Sequence, residues 1–176
     1  MKKPIDLSAI PSFASLTAAE CEELRAATVE ENVPAGQVLI EGNTCHEAVY
    51  ILLEGRVCVE KPGTSSRQGA YITEMTAGDI VGTYGLIGRV KATARVTALD
   101  NCRLLRLNYS ALQDKLSETV RGKLQEIFCH RVTDDLNQMN LRLVEELQRK
   151  FNLVQEKLTH AYFLIRVNAS KFAQRY

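Results

Sequence analysis

The amino-acid sequence predicts an α+β chain, an antiparallel β-sandwich or barrel with one helix ahead of it and a long helix behind. Three observations carry this. Between Gly36 and Leu107, short runs of strand-forming residues alternate with turn signals about every eight to twelve residues, the texture of a layered β-protein. All four prolines and nine of the ten glycines lie before residue 89, so unusual backbone angles are confined to the first half. From Ser117 to about Ile165 there is no proline and one glycine, Gly122. Apolar residues there recur every three or four positions, as on one face of a helix.

The first element is announced by Thr17 and Glu20, a capping box in which each side chain meets the other's backbone N–H. Leu16, just before the cap, is placed to staple onto Cys21. The helix runs through ECEELRAA, and Pro34-Ala35-Gly36 closes the region with turn chemistry. Strand signals follow at Val38 to Ile40, Ala48 to Leu53, Val57 to Val59, Tyr71-Ile72, Ile80-Val81 and Ala92 to Ala98. They are separated by Gly42-Asn43, Glu54-Gly55, Pro62-Gly63 with the polar stretch Thr64 to Gly69, and Ala77-Gly78-Asp79. After Leu107, Asn108 or Ser110 can cap a short helix bearing Leu112 and Leu116, and Ser117 can start another. The predicted division is a β-domain over residues 1–116 and a helix with its tail over 117–176.

The chain is organised around Gly78 to Val96, GDIVGTYGLIGRVKATARV. A short strand runs into glycines at 82, 85 and 88, and a second strand signal follows at once. Glycines allow sharp turns and let a ligand approach backbone N–H groups, so the segment suits an anion cradle. On spacing alone it better suits a turn with a short helix plugging one end of a barrel.

In the long C-terminal pattern, apolar residues fall at Val120, Leu124, Ile127, Val132, Leu136, Met139, Leu143, Leu147, Phe151, Val154, Leu158 and Ile165. The steps are mostly threes and fours, with a stutter between Leu143 and Phe151. A single helix of this span is roughly 70 Å long at 1.5 Å per residue, more than a small barrel can cover. Its seam, from Val132, Leu136, Met139 and Leu143 to Leu147, Phe151 and Val154, then needs a partner, most simply a second copy. A protein partner on the same helix is the other possibility. The competing arrangement is two helices folded back near Asn137-Asn140 or Asn152, where neither site has a Gly or Pro to make the turn.

Other function classes find little support. The net charge of +1 gives no electrostatic footprint for nucleic acid. The longest apolar run, Ala48 to Leu53, is too short to span a bilayer, so no membrane association is expected. The five cysteines show no CxxC pair or metal-ligand spacing and read as reduced thiols of a cytoplasmic protein. Cys45-His46-Glu47 reads as a loop, because adjacent residues on an extended backbone point in alternating directions. No nucleophile–base or paired-carboxylate arrangement is legible, so no enzyme and no metal are expected. Residues 161–176 interleave Arg166, Lys171 and Arg175 with Phe163, Phe172 and Tyr176, the pattern of an RNA or lipid contact or of a packed or frayed terminal helix.

Read in order, the front two-thirds resembles the cyclic-nucleotide-binding domain family. That family includes the effector domain of catabolite activator proteins and the regulatory subunits of cyclic-nucleotide kinases. The resemblance rests on Phe13 and Leu16, on PAGQVLIEGNTCHEAVYILLEGRVCV from Pro34 to Val59, on AGDIVG from Ala77 to Gly82, on ATARVTAL and on LLRLNYSALQDKL, about 115 residues in all. It implies an antiparallel β-roll with helices packed around it and a phosphate-binding cassette, here Gly82, Thr83, Tyr84, Gly85, Leu86, Lys91, Ala92, Thr93 and Arg95. The implied ligand is a cyclic nucleotide or cyclic dinucleotide.

The chain departs from the family where the ligand chemistry sits. In the family a glutamate follows the glycine at position 82 and accepts from the ribose 2′-hydroxyl. Nine residues later an arginine pairs with the cyclic phosphate. Here these positions are Thr83 and Ala92. Arg89, Lys91 and Arg95 lie close enough in sequence to bring positive charge from another direction, or to stand as solvated charges on the rim. Thr93 keeps a small hydroxyl where relatives touch phosphate. The resemblance therefore implies a dimeric, non-catalytic sensor with an altered pocket, or a scaffold that uses the roll as a platform for a coiled coil. Transcription factors of the family carry a helix-turn-helix domain of roughly 70 residues behind the long helix. Residues 161–176 are too few for one, so no sequence-specific DNA binding is expected.

Overall fold

A computed structural model of the chain describes residues 7–61, 70–84 and 90–173. The chain divides into two compact units, Met1–Val132 and Thr133–Tyr176.

In the first unit, single 3-10 turns at Leu7–Ala9 and Pro11–Phe13 lead into helix α1, Ala18–Ala27. The capping box forms as the sequence predicts: Glu20 Oε2 accepts from the Thr17 N–H at 2.7 Å, and Thr17 Oγ1 accepts from the Glu20 N–H at 3.3 Å. Strands β1 (Val29–Val33), β2 (Val38–Ile40), β3 (Ala48–Glu54) and β4 (Arg56–Lys61) follow. Then come β5 (Ala70–Thr76), β6 (Ile80–Val81), β7 (Arg95–Ala98) and β8 (Cys102–Asn108). They form two antiparallel four-stranded sheets in the orders β1-β8-β3-β6 and β2-β7-β4-β5. Helix α2 (Tyr109–Asp114) and helix α3 (Glu118–Ala173) complete the chain. The expected loop Thr64 to Gly69 lies outside the described residues.

Two apolar layers explain which strands read as unbroken hydrophobic runs. Between the sheets lie Val33, Ile40, Leu52, Val57, Met75, Val81, Ala92, Val96, Ala98 and Leu104. On the outer face of the first sheet, Val49, Ile51, Leu53, Leu105 and Leu107 pack with Phe13, Leu24, Leu112, Val120, Leu124 and Phe128 from the helical segments. Strands β3 and β8 are covered on both faces, so alternation gives way to continuous apolar sequence. Phe128, outside the apolar series read from sequence, is almost fully buried, and with Val120 and Leu124 it seats the opening turns of α3 on the roll. Polar ties reinforce that seat. Lys123 Nζ donates to Glu20 Oε2 at 2.8 Å, and Glu23 accepts from the Ser117 N–H and, at 3.2 Å, from its hydroxyl.

One strand carries little signal in the sequence, and one local expectation is corrected. Val29–Val33, VEENV, is a strand, paired antiparallel with β8 from Val29↔Arg106 to Val33↔Cys102. Only Val33 of the five is buried, so the segment carries little hydrophobic signal and is held in place by its neighbour. Ala92 to Ala94 are not strand, and β7 begins at Arg95. Ala92 instead hydrogen-bonds to the β2–β3 loop, its N–H donating to Thr44 O and its carbonyl accepting from the Asn43 N–H, each at 2.8 Å.

The second unit continues α3 as helix through Ala173. The single-helix alternative therefore holds, and there is no fold-back at Asn137-Asn140 or Asn152. Among the described residues of this unit, the large apolar side chains from Leu136 to Ile165 are 49–68% exposed. Among the described residues, no helix is long and apolar enough to cross a membrane.

Candidate functional site: the cassette between β6 and β7

Strand β6 ends at Val81, and Gly82 turns the chain with φ +88°. A Cβ there would stand 2.9 Å from Ala48 O, 2.9 Å from His46 Nε2 and 3.0 Å from Ile40 Cδ1. Glycine is thus required twice, for the left-handed angle and for the space. The chain becomes helical at Thr83 and Tyr84. Thr83 is only 3% exposed, and Tyr84 is half-buried. Gly85, Leu86, Ile87, Gly88 and Arg89 lie outside the described residues.

The exit side is anchored before β7 begins. Lys91, exposed, forms an isolated antiparallel bridge with Cys45. Ala92 is 5% exposed and belongs to the apolar layer between the sheets. Thr93 is exposed. Arg95 is engaged: its Nε and Nη2 donate to Glu41 Oε1 at 2.9 and 2.6 Å, and its Nη1 lies 3.9 Å from Glu60 Oε1. Glu41 pushes the Arg95 pKa further up, chiefly through these hydrogen bonds. The guanidinium charge is matched locally. Val90 is 48% exposed.

One loop grips both ends of this cassette. At the entry, His46 Nε2 lies 3.1 Å from the Gly82 carbonyl. A carbonyl only accepts, so Nε2 carries the hydrogen. Nδ1 is buried, with no hydrogen-bond partner among the described residues. At the exit, Asn43, Thr44 and Cys45 hold Lys91 and Ala92 as described. The loop manages this because Asn43 takes φ +64°, a left-handed angle that asparagine tolerates better than most residues. Sequence reasoning gave His46 no role, since its partner is 36 residues away. Just ahead of β6, Asp79 Oδ2 caps the Thr76 N–H at 2.8 Å while its Oδ1 lies 3.5 Å from Arg131 Nη1 on α3. The turn that feeds the cassette is thereby ion-paired to the helix.

A helix-flanked antiparallel roll with a glycine-led cassette between β6 and β7 defines a regulatory-domain class of fold. The chain belongs to the cyclic nucleotide-binding domain family, whose description matches residues 30–119. It is 27% identical over 110 residues to uncharacterized NTE family proteins of Mycobacterium bovis and Mycobacterium tuberculosis, covering 62% of this chain. It spans only 18% of the length of those relatives. Among solved structures it resembles the N-terminal domain of a transcriptional regulator from Streptomyces coelicolor, with TM-score 0.64 and 24% identity over 77% of this chain and 95% of that one. It also resembles the regulatory subunit of a cAMP-independent protein kinase A from Trypanosoma cruzi bound to guanosine, with TM-score 0.62 and 23% identity over 73% of this chain and 43% of that one. At these identities the likeness establishes the fold.

Proposed function

We propose that this chain is a non-catalytic regulatory module, dimeric through α3, whose cassette does not hold cAMP or cGMP in the family's usual way. The observation that carries the reading is Ala92. Where the family resemblance places a phosphate-pairing arginine, this chain has a methyl group in the apolar layer between the sheets. Neutral Thr83 stands where the ribose-binding glutamate is expected, and Arg95 is occupied by Glu41. A charge-assisted hydrogen bond contributes about 1.5–3 kcal/mol. Losing the arginine and weakening the ribose contact lowers cyclic-nucleotide affinity by about two orders of magnitude. Without that arginine, and with Arg95 held by Glu41, the cassette suits an uncharged ribose-bearing ligand better than a cyclic phosphate. Guanosine, held by the Trypanosoma cruzi relative, is the probe of that class. A ligand here acts on the dimer by shifting the start of α3 near Ser117, which Glu23 holds.

Thr83 and Ala92 also favour a second reading, a scaffold in which the roll only carries the helix. Calorimetry separates the two. Wild type, Thr83→Glu, Ala92→Arg and the double variant are titrated with cAMP, cGMP, a cyclic dinucleotide and guanosine, with circular dichroism checking each fold. The expected result is no cyclic-nucleotide heat at micromolar concentration in wild type and a gain of at least tenfold in the folded double variant. Micromolar cAMP or cGMP binding by wild type overturns the proposal. No heat from any probe at millimolar concentration, in wild type or folded double variant, leaves the scaffold reading in its place.

A further inference from the structure

The apolar face of α3 repeats every eleven residues. Val132, Leu143, Val154 and Ile165 form one row, and Leu136, Leu147 and Leu158 form a second, four positions on. Every intervening residue from Glu118 to Ala173 is helical, so the repeat is a real geometric row. Eleven residues at 100° each make three turns plus about 20°, whereas seven make two turns minus about 20°. The two rows therefore run almost along the helix axis and drift slightly in the sense opposite to a heptad seam.

We infer, resting on the dimer proposed above, that a second copy of this chain covers these rows in an almost straight, slightly right-handed pair that stays in step from Leu136 to Ile165. Three observations select that occupant. The described members of the two rows beyond Val132 are 49–68% exposed. The stripe is about 45 Å long and 10 Å wide, on the order of 450 Å² per helix, so a pair buries close to the roughly 1,000 Å² that a specific interface needs. An ordinary heptad helix drifts the other way and loses this stripe within a few turns. A helix of the same period fits throughout, and a second copy supplies one. Leu141 and Phe163 fall on the opposite face and stay outside the seam. An unbroken seven-residue repeat continued from Val132 and Leu136 would instead turn Glu146, Lys150, Leu153 and Lys157 toward the partner, burying three charges.

Single added cysteines test this in the full chain after the exposed Cys45 and Cys129 and the half-buried Cys58 are changed to serine, which leaves only the buried Cys21 and Cys102. Leu147→Cys, Val154→Cys and Leu158→Cys are expected to form covalent dimers on oxidation with copper phenanthroline. Glu146→Cys, Leu153→Cys and Lys157→Cys are expected to remain largely uncoupled, at least tenfold slower. Sedimentation of the parent should show a dimer at tens of micromolar. A dimer that couples through 146, 153 and 157 overturns the eleven-residue geometry while the dimer stands. A parent that sediments as a monomer and couples at no position overturns the dimer itself.

Discussion

Leu104 and Leu147 are the same side chain in opposite circumstances. Leu104, on β8, is fully buried between the two sheets, while Leu147, on α3, is 58% exposed. The roll closes its apolar surface with its own chain, through pairings such as β1 with β8 that join residues 69 to 77 positions apart. The described residues of the second unit are all helix, and a helix satisfies its backbone locally while leaving a hydrophobic stripe that no residue of its own can cover. In the roll hydrophobicity specifies a fold. In the helix, on the dimer proposed above, it specifies a partner.

The largest expected effect breaks this contrast or upholds it. Leu104→Ala leaves a cavity in a closed core and should lower stability by about 2–5 kcal/mol at any protein concentration. Leu147→Ala should leave the roll's unfolding unchanged and weaken self-association, so any shift in its melting temperature should fade on dilution. Thermal unfolding of both variants at two concentrations decides. Equal, concentration-independent losses would mean that Leu147 is covered within its own chain.

Glycines sharpen the comparison at a smaller scale. Gly82→Ala sets a Cβ 2.9 Å from a backbone carbonyl in a left-handed residue, and should cost about 2 kcal/mol or more. Gly122→Ala, in α3 with nothing within 4 Å of the added Cβ, should gain about 0.5–1 kcal/mol from helix propensity. Denaturant midpoints that move the same way in both would contradict the assignment.

The smallest effect concerns how the roll holds the helix's opening turns. Hydrogen bonding from Lys123 holds the Glu20 carboxyl below its ordinary pKa, with the Thr17 N–H adding to it. A carboxyl lowered by folding contributes stability that is complete above its unfolded value, about pH 4.3, and is lost as pH falls through the folded value. Wild type should therefore exceed Glu20→Gln in stability at pH 7 by a small margin that closes below about pH 4. A margin that is constant with pH would show that the charge has no part in it.

What was legible early follows from range. Thr17 and Glu20 act three residues apart, and the capping box read from them is present. The continuity of α3 was legible in the absence of proline. The identities of Thr83 and Ala92 were plain from cassette spacing once the resemblance was drawn. The strand at Val29–Val33 was not legible, because β8 confers its order and its outward residues are polar. His46 was not legible either, since nothing near it in sequence says that it meets Gly82.

Sequence alone determined the helices, the turns and the chemical character of the cassette, because caps, left-handed turns and side-chain identity act within a few residues. Tertiary structure decided which apolar rows are covered, that one loop holds both ends of the cassette, and that Arg95 spends its charge on Glu41, 54 residues away. Those depend on loop closure over tens of residues. Its outcome is set by the whole pattern of burial and by no local stretch.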